Sequence, residues 1–312
     1  MLKLRALQVR LGRAFVNYVL VLLPCLSFAS SLHAEELGWA WGLSNDSIGD
    51  WHDRWQSSSV EIARLQGTAW QGRAPTRFGD LLEFRFRSDI LTPERLNIVV
   101  PSDRRHAGVL SFGIHSYAER NEFEMRAGVD LTVIGHQTGL YAFQTQLHEL
   151  LGFTIPNLAG VFEIEDQISI DLSGEVAMRF DFGDIDFIPF IEARLGTEDM
   201  LRVGVDFELG LGFADDLSLR TVATGQRIPY GLGAGGTGLT LTVGADTAIV
   251  NESVYLPSDL GYVLTPRHRI RGGLRYTKNN LSVFYGLSWL GEEFEAQSSG
   301  QFVGTIHVST RF

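Results

Sequence analysis

Apolar and polar residues alternate at period two over long stretches of this chain, and few folds tolerate that pattern. At Leu82–Arg87 one face holds Leu82, Phe84 and Phe86 and the other Glu83, Arg85 and Arg87. Residues 123–133 set Phe123, Met125, Ala127, Val129, Leu131 and Val133 against Glu124, Arg126, Gly128, Asp130 and Thr132. Residues 168–180 and 201–209 repeat the arrangement. Successive strand side chains point to opposite faces, so each stretch reads as a two-faced strand. A soluble sandwich alternates too, with its apolar face turned inward. Its strands usually run about 5–6 residues, whereas a tilted membrane strand needs about 9–11. The stretches here have the longer length, and their polar faces carry charges of both signs, as a hydrated barrel lumen would.

The chain also ends as a barrel would. Phe302, Gly304, Ile306, Val308, Thr310 and the terminal Phe312 share one face. Strands are expected near 39–47, 57–70, 77–89, 107–120, 121–134, 166–182, 186–197, 199–213, 238–250, 262–277, 280–290 and 301–312. That is an even twelve, as in single-chain bacterial barrels. The expected fold is all-β, a 12-stranded antiparallel transmembrane barrel. With both termini on the periplasmic side, the connections 48–56, 90–106, 135–165, 196–198, 251–261 and 291–300 face outward. The connection 214–237 faces the periplasm, and the sequence offers no reason for its length.

Residues 1–34 read as a secretory signal peptide. Lys3, Arg5, Arg10 and Arg13 precede an apolar stretch from Phe15 to Phe28, and small residues lead to Ala34. The barrel domain then covers residues 35–312. The one cysteine, Cys25, lies in the leader, so the mature chain offers no disulfide or thiolate metal site. Losing the four basic leader residues takes the formal charge from −11 to −15, which argues against nucleic acid as a partner. After the leader no run is long and apolar enough for a membrane helix. The expected location is the outer membrane; the oligomeric state is open, with a monomer the simplest expectation.

Two outward segments carry candidate chemistry. In 135–165, Phe143, Leu147, Leu150 and Leu151 make one face of a short helix. Gln144 and His148, at i and i+4, share another. His148 reads either as a general base or as a solvated loop histidine. At the first mouth-facing turn, Asn45, Asp46, Asp53 and Ser57 gather amide, carboxylate and hydroxyl oxygens. Such a set suits Ca²⁺, and it equally suits an exposed turn.

The order of three short blocks resembles the lipid A 3′-O-deacylase family of outer-membrane barrels. Leu43-Ser44-Asn45-Asp46 with Asp53-Arg54-Trp55-Gln56-Ser57-Ser58-Ser59 is similar to that family's Asn-Asp and Asp-Arg-x-Tyr-Thr-x-Gly pieces. Gln144 to Gly152 is similar to its Gln-x-x-x-His-x-x-x-Gly segment, and Glu293-Phe294 to a Glu-Phe before the last strand. The resemblance implies a hydrolase that removes the 3′-linked acyloxyacyl chain of lipid A in lipopolysaccharide. His148 would be the base. Asn45 and Asp46 would be the polar pair at the oxyanion and at a Ca²⁺ site, Ser57 would stand for the family's Thr, and Gln144 for the helix glutamine. The departures are Gln56 for Tyr, Ser59 for the turn Gly, and Thr154 and Pro156 for a Glu and a Tyr near the site. Arg95 lies near an expected basic position, and Glu163 or Glu165 is a candidate to replace the lost acid. A catalytically impaired lipopolysaccharide-binding barrel and a small pore are the alternatives.

Three other features carry no expectation of chemistry. Gly231–Gly236 fits a dinucleotide pattern without the strand and helix that pattern needs. His307-Val308-Ser309 resembles a motif of outer-membrane phospholipases but falls on the inner face of the terminal strand. His106 and His115 have no partner at metal-ligand spacing.

Overall fold

The computed structural model describes residues 35–68, 70, 72–158, 160–210, 217–230 and 236–311. Residues 1–34, expected from sequence as a signal peptide, most of the glycine run and Phe312 lie outside the described residues.

The chain runs through β1 (Glu35–Asn45), β2 (Trp55–Gly67), β3 (Leu81–Thr92), β4 (Ala107–Arg120) and β5 (Phe123–Ile134) to one helix, α1 (Leu140–Leu151). β6 (Gln167–Met178) and the two-residue β7 (Phe180–Asp181) follow, then β8 (Ile185–Leu195) and β9 (Glu198–Gly210). A small hairpin, β10 (Ser218–Arg220) and β11 (Arg227–Pro229), precedes β12 (Gly236–Ser253), β13 (Arg267–Asn279), β14 (Leu281–Leu290) and β15 (Gln301–Arg311). Both β6 and β7 pair with β8, so β7 prolongs β6 and the wall has twelve strands. Every neighbour is antiparallel. β1 pairs with β15 from Gly38↔Arg311 to Asn45↔Gly304, and the β6–β8 pairing completes the ring.

Closure follows from the alternation. A wall that is apolar outside must satisfy every backbone group within itself, which only a sheet without edges does. The expected facing holds: Ile168 and Ile170 are 66% and 68% exposed, while Glu83 is 0% exposed. Strand bounds fall within a few residues of expectation, with β12 longer at both ends and β13 starting five residues late.

The lumen is filled with paired charge. Asp246 accepts from Arg202 (3.0 Å), Arg269 (2.9 Å) and Arg271. Glu192 lies within ion-pair distance of Arg126, Arg194 and Arg202. The β10–β11 hairpin explains the length of the connection before β12, because it sits inside the barrel. Arg220 reaches Glu175 of β6 and Asp206 of β9, both at 2.9 Å, and Arg227 reaches Glu208 of β9 (2.9 Å) and Glu124 of β5 (2.6 Å). At the hairpin tip Val222 N–H donates to Glu61 (3.0 Å), and Gln226 donates to the carbonyls of Gly272 and Leu287 (3.2 Å each). Leu217, Leu219 and Tyr230 complete an apolar cluster with Leu37, Leu65 and Tyr117. His307 and Ser309 are buried on the lumenal side, with His307 edge-on to Tyr230.

Candidate active site

The connections after β1, β3 and β5 meet at one end of the barrel and enclose a cavity of ≈ 730 Å³. Asn45, Asp46, Ser57, Gln144 and His148 all line it. The turn chemistry that leaves Asn45 and Asp46 ambiguous in sequence is present as well: Asn45 accepts from Ser47 N–H (2.7 Å) and caps a single 3₁₀ turn. Asp46 is nonetheless buried rather than exposed. The β2 ladder shifts register between Gln56 and Ser58, so Ser57 falls at a bulge, a device that re-aims a side chain. Its hydroxyl donates to Asp53 at 2.6 Å.

Helix α1 is bracketed by Gly139 and Gly152, both left-handed (φ 72° and 76°). At Gly152 the left-handed turn lets the N–H groups of Gly152 and Phe153 both reach His148 O, at 2.8 and 2.9 Å. The reversal brings the carbonyl of Thr154 back to His148 Nδ1 at 2.6 Å. A carbonyl only accepts, so Nδ1 carries a proton and Nε2 is the nitrogen left to face the cavity. The solvated-histidine reading is therefore incorrect: His148 is buried, with Phe153 edge-on to its ring.

The helix packs opposite to a soluble one. Tyr141, Gln144 and His148 are buried, whereas Phe143, Leu150 and Leu151 are exposed. Phe143, Leu147, Leu151 and Phe153 form an apolar flank of the cavity that faces the polar group. Arg95 also lines the cavity, beside Glu94 and Asn97.

Asp53, expected from sequence only as part of the oxygen-rich turn, meets the histidine. Its Oδ2 lies 3.0 Å from His148 Nε2, and its Oδ1 accepts from Ser57 and from Gln144 Nε2 (3.5 Å). The Asp53–His148 contact is a hydrogen bond only when Nε2 holds a proton, so the geometry suits a protonated ring. Glu163 does not replace the missing glutamate. It pairs with His136 at 3.1 Å and lies outside the cavity lining, as does Glu165, which is exposed. Glu293 clamps loops instead, pairing with Arg104 (2.6 Å) and Arg267 (3.3 Å) while Phe294 packs on Tyr262.

The cavity is short of positive charge. Burial pushes the Asp46 carboxyl up to about 9; the Arg54 N–H (2.6 Å) opposes the rise, and nearby Asp53 and Asp50 add to it. Oxygen donors around a carboxyl that burial keeps protonated fit a hard divalent cation, whose binding would displace the proton. Among the described residues no three His, Cys, Asp or Glu side chains converge on a metal position. A cation here would therefore be held by Asp46 together with neutral oxygens such as that of Asn45.

The sequence matches the family described as Outer membrane protein LpxR over residues 15–312. Among solved structures, LpxR from Salmonella typhimurium aligns at a TM-score of 0.73 and 18% identity, covering 88% of this chain and 100% of that one. The beta domain of the Bordetella autotransporter BrkA aligns at 0.47 and 9% identity, covering 89% and 98%. No curated protein matches the sequence.

Proposed function

Since this chain belongs to the LpxR family of outer-membrane proteins, we propose that it hydrolyses the 3′-linked acyloxyacyl ester of lipid A within the outer membrane. The observation that carries the reading is the buried His148, fixed as a base by Thr154 O and backed by Asp53. His148 Nε2 takes the proton from an attacking water. Such a base contributes about 10²–10⁴-fold. Asp53, held by Ser57 and Gln144, stabilises the imidazolium until the proton passes to the leaving alkoxide. Asn45 and Asp46 line the side of the cavity where the ester oxygen develops charge. A divalent cation such as Ca²⁺, when bound by Asn45 and Asp46, supplies further stabilisation of that charge. The apolar flank from Phe143 to Phe153 takes the acyl chain while the sugar stays at the membrane surface.

The test is expression in a bacterial outer membrane with Ca²⁺ present, followed by mass measurement of extracted lipid A. Loss of one acyloxyacyl unit, abolished by His148→Ala, is the expected result. An unchanged mass with the barrel folded overturns the reading.

A second reading is a relative that binds lipopolysaccharide without cutting it. The observation in its favour is that the Asp53 carboxylate stands where a water has to reach His148 Nε2. Retained lipopolysaccharide on the purified barrel with unaltered lipid A would select it. A pore is disfavoured by the hairpin and charge pairs that occupy the lumen.

A further inference from the structure

We propose that His106 is a positioning residue for this site, acting through Gln144 and Asp53. It stands immediately before β4, and both sides of its backbone are held. Its N–H donates to Phe162 O at 3.1 Å, and its carbonyl accepts from Ile164 N–H at 2.8 Å. The ring is buried and edge-on to Tyr141, 5.0 Å between centroids. Tyr141 sits one helical turn before Gln144 on α1, and its hydroxyl accepts from Leu158 N–H at 2.8 Å. The imidazole is thus fixed by the same packing that seats the helix.

From this fixed position Nε2 lies 3.1 Å from Gln144 Oε1. The polarity of the contact follows from the other end of the amide. Gln144 Nε2 faces Asp53 Oδ1 at 3.5 Å, and a carboxylate can only accept. The amide nitrogen must face Asp53, its oxygen must face His106, and His106 must carry its proton on Nε2. Burial keeps the ring neutral by pulling its pKa down to about 4, so it donates without adding charge. A directed chain results, from His106 to Gln144 to Asp53, which meets His148 Nε2 at 3.0 Å. Without the donor at position 106 the amide is free to turn over. Its oxygen then opposes Asp53 and drives that carboxylate away from His148.

The signal was not readable as spacing, because the partners lie 38 residues apart. The role is indirect: His106 does not line the cavity.

The experiment has two arms. In the first, barrel in lipid nanodiscs is labelled with ¹⁵N at glutamine side chains, and the Gln144 amide resonance is assigned by its loss in Gln144→Met. His106→Leu should shift or split that resonance. His106→Gln, which can donate from a similar reach, should restore it. This arm does not depend on the reaction. The second arm rests on the hydrolase reading: His106→Leu should lower kcat by about 10-fold or more with KM little changed, as misorientation does, and His106→Gln should recover most of it. If His106→Leu fails to assemble, His106→Asn, polar but too short to reach, takes its place in both arms. An unmoved Gln144 resonance in the folded variant overturns the proposal. So does a failure of His106→Gln to restore a resonance that had moved. If wild-type protein leaves lipid A intact, the hydrolase reading falls while the amide arm still decides the role of His106.

Discussion

The lumen and the end cavity are built from the same residue types and balance them in opposite ways. In the lumen, carboxylates meet several guanidinium groups: Asp246 touches Arg202, Arg269 and Arg271, and Asp206 touches Arg220 and Arg271. At the cavity, Asp53 and Asp50 add to the cost of ionising the buried Asp46, which accepts from the Arg54 backbone N–H rather than from a guanidinium; Asp53 is met by a hydroxyl, an amide and an imidazole, and Asp50 by Arg54. Buried charge that is fully paired holds a scaffold together; buried charge left short of a partner is held ready for something absent from the chain.

Removing the same atom from each region should therefore give opposite signs. The largest effect is expected in the lumen, where Asp246→Asn takes the paired carboxylate from Arg269 and one of two from Arg202 and Arg271. Breaking a buried ion pair from one side costs about 3–5 kcal/mol. Urea unfolding of the barrel in detergent, read by its gel mobility, checks this; an unchanged midpoint would break the comparison at its strong end.

A pH titration of the loop packing is expected to have the next largest effect. His106 is depressed from 6.5 to about 4 by burial. The unfolded loop binds the extra proton and the folded loop does not. Its packing is therefore at full strength above pH 6.5 and weakens as pH falls towards 4, by up to ~3 kcal/mol. Amide exchange of residues 141–164 between pH 7 and pH 4.5 follows this directly, and His106→Leu should flatten the dependence.

The smallest effect carries the reversed sign. With chelator present, Asp46→Asn should stabilise the loop region rather than weaken it, because it removes a carboxyl raised to about 9. Relief of even one pKa unit is worth ~1.4 kcal/mol. Lipid A cleavage should be lost in the same variant, so stability and activity would move apart. Protection against proteolysis of the outward loops measures the first half, and lipid A mass the second.

Much of the wall was legible in the sequence because a period of two admits only one way to place Glu83 and Arg85 inside and Phe84 outside. The strand count and the mouth-facing turns followed from it. The helix was legible as a helix, but its packing runs against the soluble rule: Phe143 and Leu150 face out, and Gln144 and His148 are buried. A periodicity argument finds two faces without saying which solvent each will meet. The hairpin was illegible for another reason. Its strands are three residues each, and its partners, from Glu61 to Leu287, are far away in the chain. Asp53 stood inside a recognisable block, yet its role depends on a 3.0 Å contact with a residue from another connection.

The hairpin also sets an order on how the molecule can be made. Its contacts reach β2, β5, β6, β9 and β13, and Thr224 bonds Thr305 of β15. Thr305 lies in the segment that zips to β1 at the closing seam. The hairpin cannot be fully seated until that seam exists. Once the seam exists, the ring surrounds it. Sealing the ring and seating the hairpin are thus coupled, each completing contacts that hold the other.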